Sequence, residues 1–179
     1  MPMQIQPCDA ERDAPRIQAI FNHAIEQTTA LYEYQPRSLE QVQTWLLQKK
    51  ADRLPVLGLY SAADTLQGFA SYGPFRPWPA FQYTVEHSIY LHPQAQGKGL
   101  GRPLLSALIQ AAEAQQYHVM MAAIDASNQA SCALHQRLGF QCVGRLKQVG
   151  YKFGRWLDLD FYQLQLMTPI EPTEAGPVR

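Results

Sequence analysis

Between residues 81 and 115 the chain passes from an aromatic and β-branched stretch, through a run holding three glycines, into apolar residues at helical spacing. The run is Gln96-Gly97-Lys98-Gly99-Leu100-Gly101-Arg102. Before it, Phe81 to Leu91 reads as a strand, which His92-Pro93 ends. After it, Leu104, Leu105, Leu108, Ile109 and Ala112 mark one face of a helix running to about Gln115. Glycine permits positive φ and lets a backbone come close to a ligand. A helix start leaves N–H groups unpaired, and its dipole favours negative charge. Together these make a cradle for a pyrophosphate, with Lys98 and Arg102 adding positive charge. The dinucleotide pattern GxGxxG fails because Arg102 stands where its third glycine belongs, and the Walker pattern GxxxxGK[ST] is absent. Taken alone, the same residues also read as a glycine-rich turn that merely starts a helix.

The rest of the chain fills in a mixed α/β pattern. Residues 3–8 can start a strand. Asp13 reads as a helix N-cap with Pro15 in the first turn, and Ile17, Ile20, Phe21, Ala24 and Ile25 give that helix an apolar face. Ser38 with Gln41 fits a capping box, opening a second helix that carries Val42, Trp45 and Leu46. Val56–Tyr60 and Leu66–Tyr72 read as strands joined by a turn at 62–65, followed by a Pro-rich loop over 74–79. Val119–Ile124 reads as a buried strand, Asn128–Leu138 as a helix stopped by Gly139, and 140–149 with 158–166 as two more strands. The order is β α α β β β α β α β β. No repeat or linker divides the 179 residues, so one domain over 1–167 with a flexible tail over 168–179 is expected.

Composition narrows the function classes. Lys+Arg and Asp+Glu both number 15, so no basic excess points to nucleic acid or to an anionic membrane surface. Cys8, Cys132 and Cys142 form neither a disulfide framework nor a CxxC metal pair, and read as free thiols in a reducing compartment. No metal is expected. The N-terminus lacks the basic start and apolar core of a signal peptide, and no apolar run is long enough to span a bilayer. A cytoplasmic protein is the expectation.

What the loop does fit is Gln96-x-x-Gly99-x-Gly101, together with the strand end Tyr90-Leu91-His92-Pro93 and the helix end Leu138-Gly139-Phe140. In these features the chain resembles the GCN5-related N-acetyltransferases (GNAT) over about residues 3–167. Tyr83-Thr84-Val85-Glu86-His87-Ser88-Ile89-Tyr90-Leu91, Leu134-His135-x-x-Leu138-Gly139-Phe140 and Gly150-Tyr151-Lys152-Phe153-Gly154-Arg155-Trp156-Leu157-Asp158 are most similar to its phosphinothricin and methionine sulfoximine acetyltransferase branch. The resemblance implies the acetyltransferase fold: a central, mixed, mostly antiparallel twisted sheet flanked by helices. It also implies acetyl-CoA as co-substrate, a small-molecule amine as acceptor, and a homodimer.

Acetyl transfer to an amine requires that the amine lose a proton, that the thioester be polarised and that the two be held together. Glu86, a carboxylate in an otherwise apolar strand, reads as a general base or as a salt-bridged Glu, and the resemblance favours the base. His87 lies on the other face of a regular strand and reads as a satisfied core or surface histidine. His135 stands where many members of the superfamily carry a Tyr thought to protonate the leaving thiolate, which leaves the acid open. Asn128 suits a pantetheine amide and a helix N-cap equally. The resemblance implies that Ile89, Tyr90 and Leu91, the loop Gln96, Gly97, Lys98, Gly99, Leu100, Gly101 and Arg102, and Asn128, Ser131 and His135 hold the cofactor. Phe75, Arg76, Tyr83, Thr84 and Glu86 are the candidate acceptor contacts, with Arg76 suited to a bidentate pair with a carboxylate or to a plain solvent-facing role. Tyr32, Tyr34 and Trp78 are further candidates to line the site. The alternatives are an acetyltransferase for another amine, such as a protein N-terminus or an amine drug, and a non-catalytic acyl-CoA-binding protein.

Overall fold

The structure, a computed structural model, describes residues 3–177. Its elements are β1 (Gln4–Pro7), α1 (Ala14–Gln27), α2 (Leu39–Ala51), β2 (Val56–Tyr60), β3 (Leu66–Pro74), β4 (Thr84–Leu91), α3 (Gly101–Ala114), β5 (Val119–Asp125), α4 (Gln129–Arg137), β6 (Gln141–Lys152) and β7 (Arg155–Gln165). This is the order that the sequence patterns give. The strands hydrogen-bond in the order β1-β2-β3-β4-β5-β7-β6. The pairs β1–β2, β2–β3, β5–β7 and β6–β7 run antiparallel, and β4–β5 runs parallel. The chain divides into two compact units, Met1–Tyr72 with Ser88–Leu108, and Gly73–His87 with Ile109–Arg179.

In the first unit, the apolar face of α1 (Ile17, Ile20, Phe21) meets Val42 and Leu46 of α2 and Tyr60, Leu66 and Phe69 of β2 and β3. Phe21 is the hub, with ring centroids 4.8 Å from Phe69, 5.2 Å from Tyr90 and 5.4 Å from Trp45. Such edge-on and tilted rings pack densely and fix side-chain orientation. The α2 capping box forms as expected: Ser38 Oγ accepts from Gln41 N at 3.1 Å, and Gln41 Oε1 accepts from Ser38 N at 2.7 Å. Asp13 takes the N-cap position of α1, but its side chain does not cap. The buried carboxylate instead accepts from Tyr60 OH at 2.7 Å, Asp9 N at 2.7 Å and the Arg12 guanidinium at 3.0 Å. A buried carboxylate is stable only when so paired.

In the second unit, β5 brings Met120, Met121, Ala122 and Ile124 into the interior, with Phe140, Leu157, Tyr162 and Leu166 also buried. Gly139, at φ +88°, ends α4 where the sequence places a stop. Two boundaries differ from expectation. β4 starts at Thr84, because Pro79–Phe81 closes a 3₁₀ turn ahead of it. The last two strands run on into one long hairpin through 150–157, pairing Tyr151 with Trp156 and Lys152 with Arg155. Its two-residue turn, Phe153 at φ +50° and Gly154 at φ +73°, has both centres positive, as a type I′ turn needs. Phe is not a residue that advertises that conformation. Residues 168–174 hydrogen-bond to residues 82–83 and 117–118.

Candidate active site

The glycine loop belongs to the first unit. The side chain of His92 accepts from Gln94 N at 3.3 Å and opens the 3₁₀ turn Pro93–Ala95. Gln96 Nε2 donates to Leu91 O at 3.2 Å, tying the loop back to the end of β4. Gly97 and Gly99 sit at φ +71° and +74°, and a Cβ on either would meet nothing within 4 Å. The backbone is therefore turned into a conformation that favours glycine while facing open space. Residues 96–99 are exposed, Arg102 N reaches Gly99 O at 3.4 Å, and α3 begins at Gly101. An open, left-handed loop feeding a 14-residue helix, flanked by Lys98 and Arg102, fits a pyrophosphate. Leu100 is half-buried at the base of the loop. Of the other cofactor candidates in this unit, the Tyr90 ring is committed to packing against Phe21 and Phe69, and Ile89 and Leu91 flank it on β4. All three are partly buried.

In the second unit the burial of β4 alternates as a regular strand requires: Val85 and His87 are buried, and Thr84 and Glu86 are partly exposed. The ladder to β5 pairs Thr84 with Val119, Val85 with Met120 and Glu86 with Met121. Phe75 N donates to Thr84 O at 3.2 Å, closing the 75–84 segment on itself. That closure brings Arg76 to Glu86, with Nη1 3.9 Å from Oε2. Arg76 Nη1 also donates to Phe75 O at 2.7 Å, and its guanidinium lies 4.1 Å from the Phe75 ring centroid. Burial pushes the Glu86 carboxyl up from its ordinary range, and the positive charge of Arg76 pulls it partly back. Phe81 bridges this loop, 5.8 Å from Phe75 and 6.3 Å from the exposed Trp78. The Tyr83 hydroxyl is engaged at both ends: it donates to Thr173 O and accepts from Thr173 N, each at 2.9 Å.

On the other face of β4, His87 and His135 meet through their Nε2 atoms at 3.1 Å. His135 Nδ1 lies 2.7 Å from Ser131 O, and a carbonyl can only accept, so Nδ1 carries the hydrogen. In the neutral ring His135 Nε2 then accepts, and His87 Nε2 donates. Burial holds both rings below the usual histidine range, His87 far below, and the pair of them disfavours charge on His87 further. His87 Nδ1 is buried without a hydrogen-bond partner among the described residues. The sequence marked each ring separately, but their contact spans 48 positions and has no local signal. Asn128 is the N-cap of α4, its Oδ1 accepting from Ser131 N at 3.1 Å. The cap leaves the amide N–H₂ to another partner. Ser131 is half-buried one turn before His135. Trp156 is 61% exposed and, with Asp125 and Asp158, borders a shallow cavity of about 310 Å³ on the β7 side.

No helix among the described residues is long and apolar enough to cross a membrane. Nor do the described residues hold a group of three or more His, Cys, Asp or Glu placed to bind a metal.

Comparison with known proteins identifies the family. The Acetyltransferase (GNAT) domain family matches residues 9–160. An L-methionine sulfoximine/L-methionine sulfone acetyltransferase of Pseudomonas aeruginosa is 48% identical over 165 residues, 92% of this chain and 94% of its own. An L-amino acid N-acyltransferase of Escherichia coli is 45% identical over 164 residues, 92% of this chain and 95% of its own. Among solved structures, a GNAT superfamily phosphinothricin acetyltransferase from Sinorhizobium meliloti in complex with acetyl-CoA superposes with a TM-score of 0.89. It is 33% identical, over 93% of this chain and 89% of that one. With the family match running through β4, the glycine loop and α4, the chain belongs to the GNAT acetyltransferases.

Proposed function

We propose that this protein moves the acetyl group of acetyl-CoA to the α-amine of a small amino-acid-like acceptor of the methionine sulfoximine, methionine sulfone or phosphinothricin type, with Glu86 as general base. The observation that carries the reading is the pairing of Glu86 with Arg76 at 3.9 Å on one half-open patch. An α-amino acid presents an amine next to a carboxylate. Glu86, its proton affinity lifted by burial, takes the amine's proton, while the planar fork of Arg76 takes the carboxylate. The relatives' acceptors are of this kind by name.

Transfer is direct. Glu86 removes a proton from the amine, the nitrogen forms a bond to the acetyl carbon, and the carbon–sulfur bond breaks to release the CoA thiolate. Backbone N–H groups of residues 97–102 hold the pyrophosphate, and Lys98 and Arg102 add charge. The main chain of Ile89–Leu91 takes the pantetheine arm. Arg76 serves two ends: alone it lowers the Glu86 proton affinity, and once it turns to the acceptor's carboxylate that restraint weakens and the base strengthens.

The test is release of free CoA by the purified protein with acetyl-CoA and a panel of amines. The panel holds methionine sulfoximine, methionine sulfone, phosphinothricin, ordinary amino acids, a peptide and an aminoglycoside. Saturable turnover on the sulfoximine or sulfone is expected. Turnover confined to the peptide or aminoglycoside would replace the acceptor class. Glu86→Gln should lower kcat by about 10²–10⁴-fold, the usual range for a general base, with acetyl-CoA affinity unchanged. An unaltered kcat would remove Glu86 from the role.

A further inference from the structure

We infer that the C-terminal segment 168–176 is a positioning strap for the acceptor side of the site, with the main chain of Thr173 holding Tyr83 and thereby the loop that sets Arg76 beside Glu86. The inference rests on the acceptor-side reading of Arg76 and Glu86 given above.

The strap is tied at two places. At its start, Thr168 Oγ1 donates to Tyr117 O at 2.6 Å and Thr168 O accepts from His118 Nδ1 at 2.8 Å. Further on, Thr173 exchanges two hydrogen bonds with the Tyr83 hydroxyl. Gln82 Nε2 donates to Glu174 O at 3.0 Å. The strap then turns back, Gly176 N reaching Thr173 O at 3.2 Å with Gly176 at φ +85°. A Cβ on Gly176 would stand 2.5 Å from Gln82 Oε1, so the turn lies flat against Gln82.

Tyr83 is held from two sides. Its carbonyl accepts from His118 N at 2.9 Å and Val119 N at 3.1 Å, and its hydroxyl is held by Thr173. A hydroxyl has one proton to give, and here it goes to Thr173 O. Tyr83 therefore acts through the loop rather than by donating to the acceptor. It stands at the junction of the loop and β4, three positions before Glu86, while Phe75 N closes the loop's other end on Thr84 O. Between those ends lie Arg76, Trp78 and Phe81, all exposed. Ordering an exposed loop costs conformational entropy, and a brace that supplies the order in advance lowers what the acceptor must contribute on binding.

Three variants test this: Tyr83→Phe, Thr173→Pro, which deletes the N–H, and a chain ended at Glu171, which keeps the Thr168 anchors. Each should raise the acceptor KM about fivefold, the worth of one or two exposed hydrogen bonds, with the acetyl-CoA KM unchanged. The Tyr83→Phe/Thr173→Pro double variant should be no worse than the more affected single one, since both remove the same link. Amide exchange over 75–84 should quicken in all three while 97–114 stays unaltered, a readout that needs no acceptor and so stands if the acceptor class proves wrong. The inference is overturned if exchange over 75–84 is unmoved, or if both KM values rise together. It is also overturned if Tyr83→Phe alone raises the acceptor KM, which would make the hydroxyl a direct acceptor contact.

Discussion

Arg76 carries opposite consequences for Glu86 and for the acceptor carboxylate proposed to pair with it, and they can be separated. Beside Glu86 it lowers the carboxyl's proton affinity against the rise that burial imposes. Arg76→Gln removes that influence, so the Glu86 carboxyl titrates higher and the acid limb of kcat/KM moves to higher pH. The same substitution removes the charged partner proposed for the acceptor carboxylate, worth about 1.5–3 kcal/mol, so the acceptor KM should rise roughly tenfold or more. Arg76→Lys keeps the charge without the fork: the acid limb should hold while KM still rises. A pH–rate profile of the three proteins decides it, and an unmoved acid limb in Arg76→Gln would detach Arg76 from Glu86. Both residues were legible in the sequence because a charge in an apolar strand and an Arg in an aromatic loop stand out from their surroundings. The Thr173–Tyr83 link was not, since its partner atoms on Thr173 are main chain and carry no residue signature.

Strand, loop and helix around Gly99 were legible for a related reason: the residues proposed to hold the pyrophosphate are those that make the loop fold. Gly99 sits at φ +74° with nothing within 4 Å of a built Cβ, so Gly99→Ala meets no protein atom and suffers only the left-handed backbone, about 1–2 kcal/mol. Its methyl would project into the open side of the loop, where the pyrophosphate is assigned. The expected outcome is a small fall in Tm together with an acetyl-CoA KM raised roughly tenfold, because the close approach that glycine allows is lost. The acceptor KM should not change. Equal KM values for acetyl-CoA in variant and parent would leave the loop a plain helix start. The β6–β7 hairpin shows the opposite case. Its turn puts Phe153 at positive φ, against local propensity, so the sequence pattern broke the strand early and the cross-strand ladder decided otherwise.

The stability of the whole molecule against acid should carry the mark of the buried histidines. His87 and His135 fold neutral, each held below the ordinary value of 6.5 chiefly by burial. In the unfolded chain both titrate near that value. Above it neither state binds the proton and their contribution is fully present; as pH falls through it the unfolded chain takes up protons that the fold refuses, so stability drops. For His87, the more deeply depressed of the two, the slope approaches about 1.4 kcal/mol per pH unit below 6.5. Tyr162, beside His135, is pushed up to about 12 mainly by burial and stays neutral throughout this window. Asp160 works on a separate and lower window. Its carboxylate is held below 3.8 by Arg145, which donates to it through Nε at 2.6 Å and Nη2 at 2.8 Å. That contribution is present above 3.8 and lost only as pH falls through the lower folded value. Urea melts between pH 8 and 5 should therefore show ΔG falling from about pH 6.5 downward, above the window in which Asp160 contributes. His87→Asn should be less stable than the parent at pH 8, where it loses the Nε2 hydrogen bond, yet flatter between pH 6.5 and 5. Parallel curves for the two proteins would mean that His87 is protonated in the fold as readily as out of it, and the neutral pair would have to be abandoned.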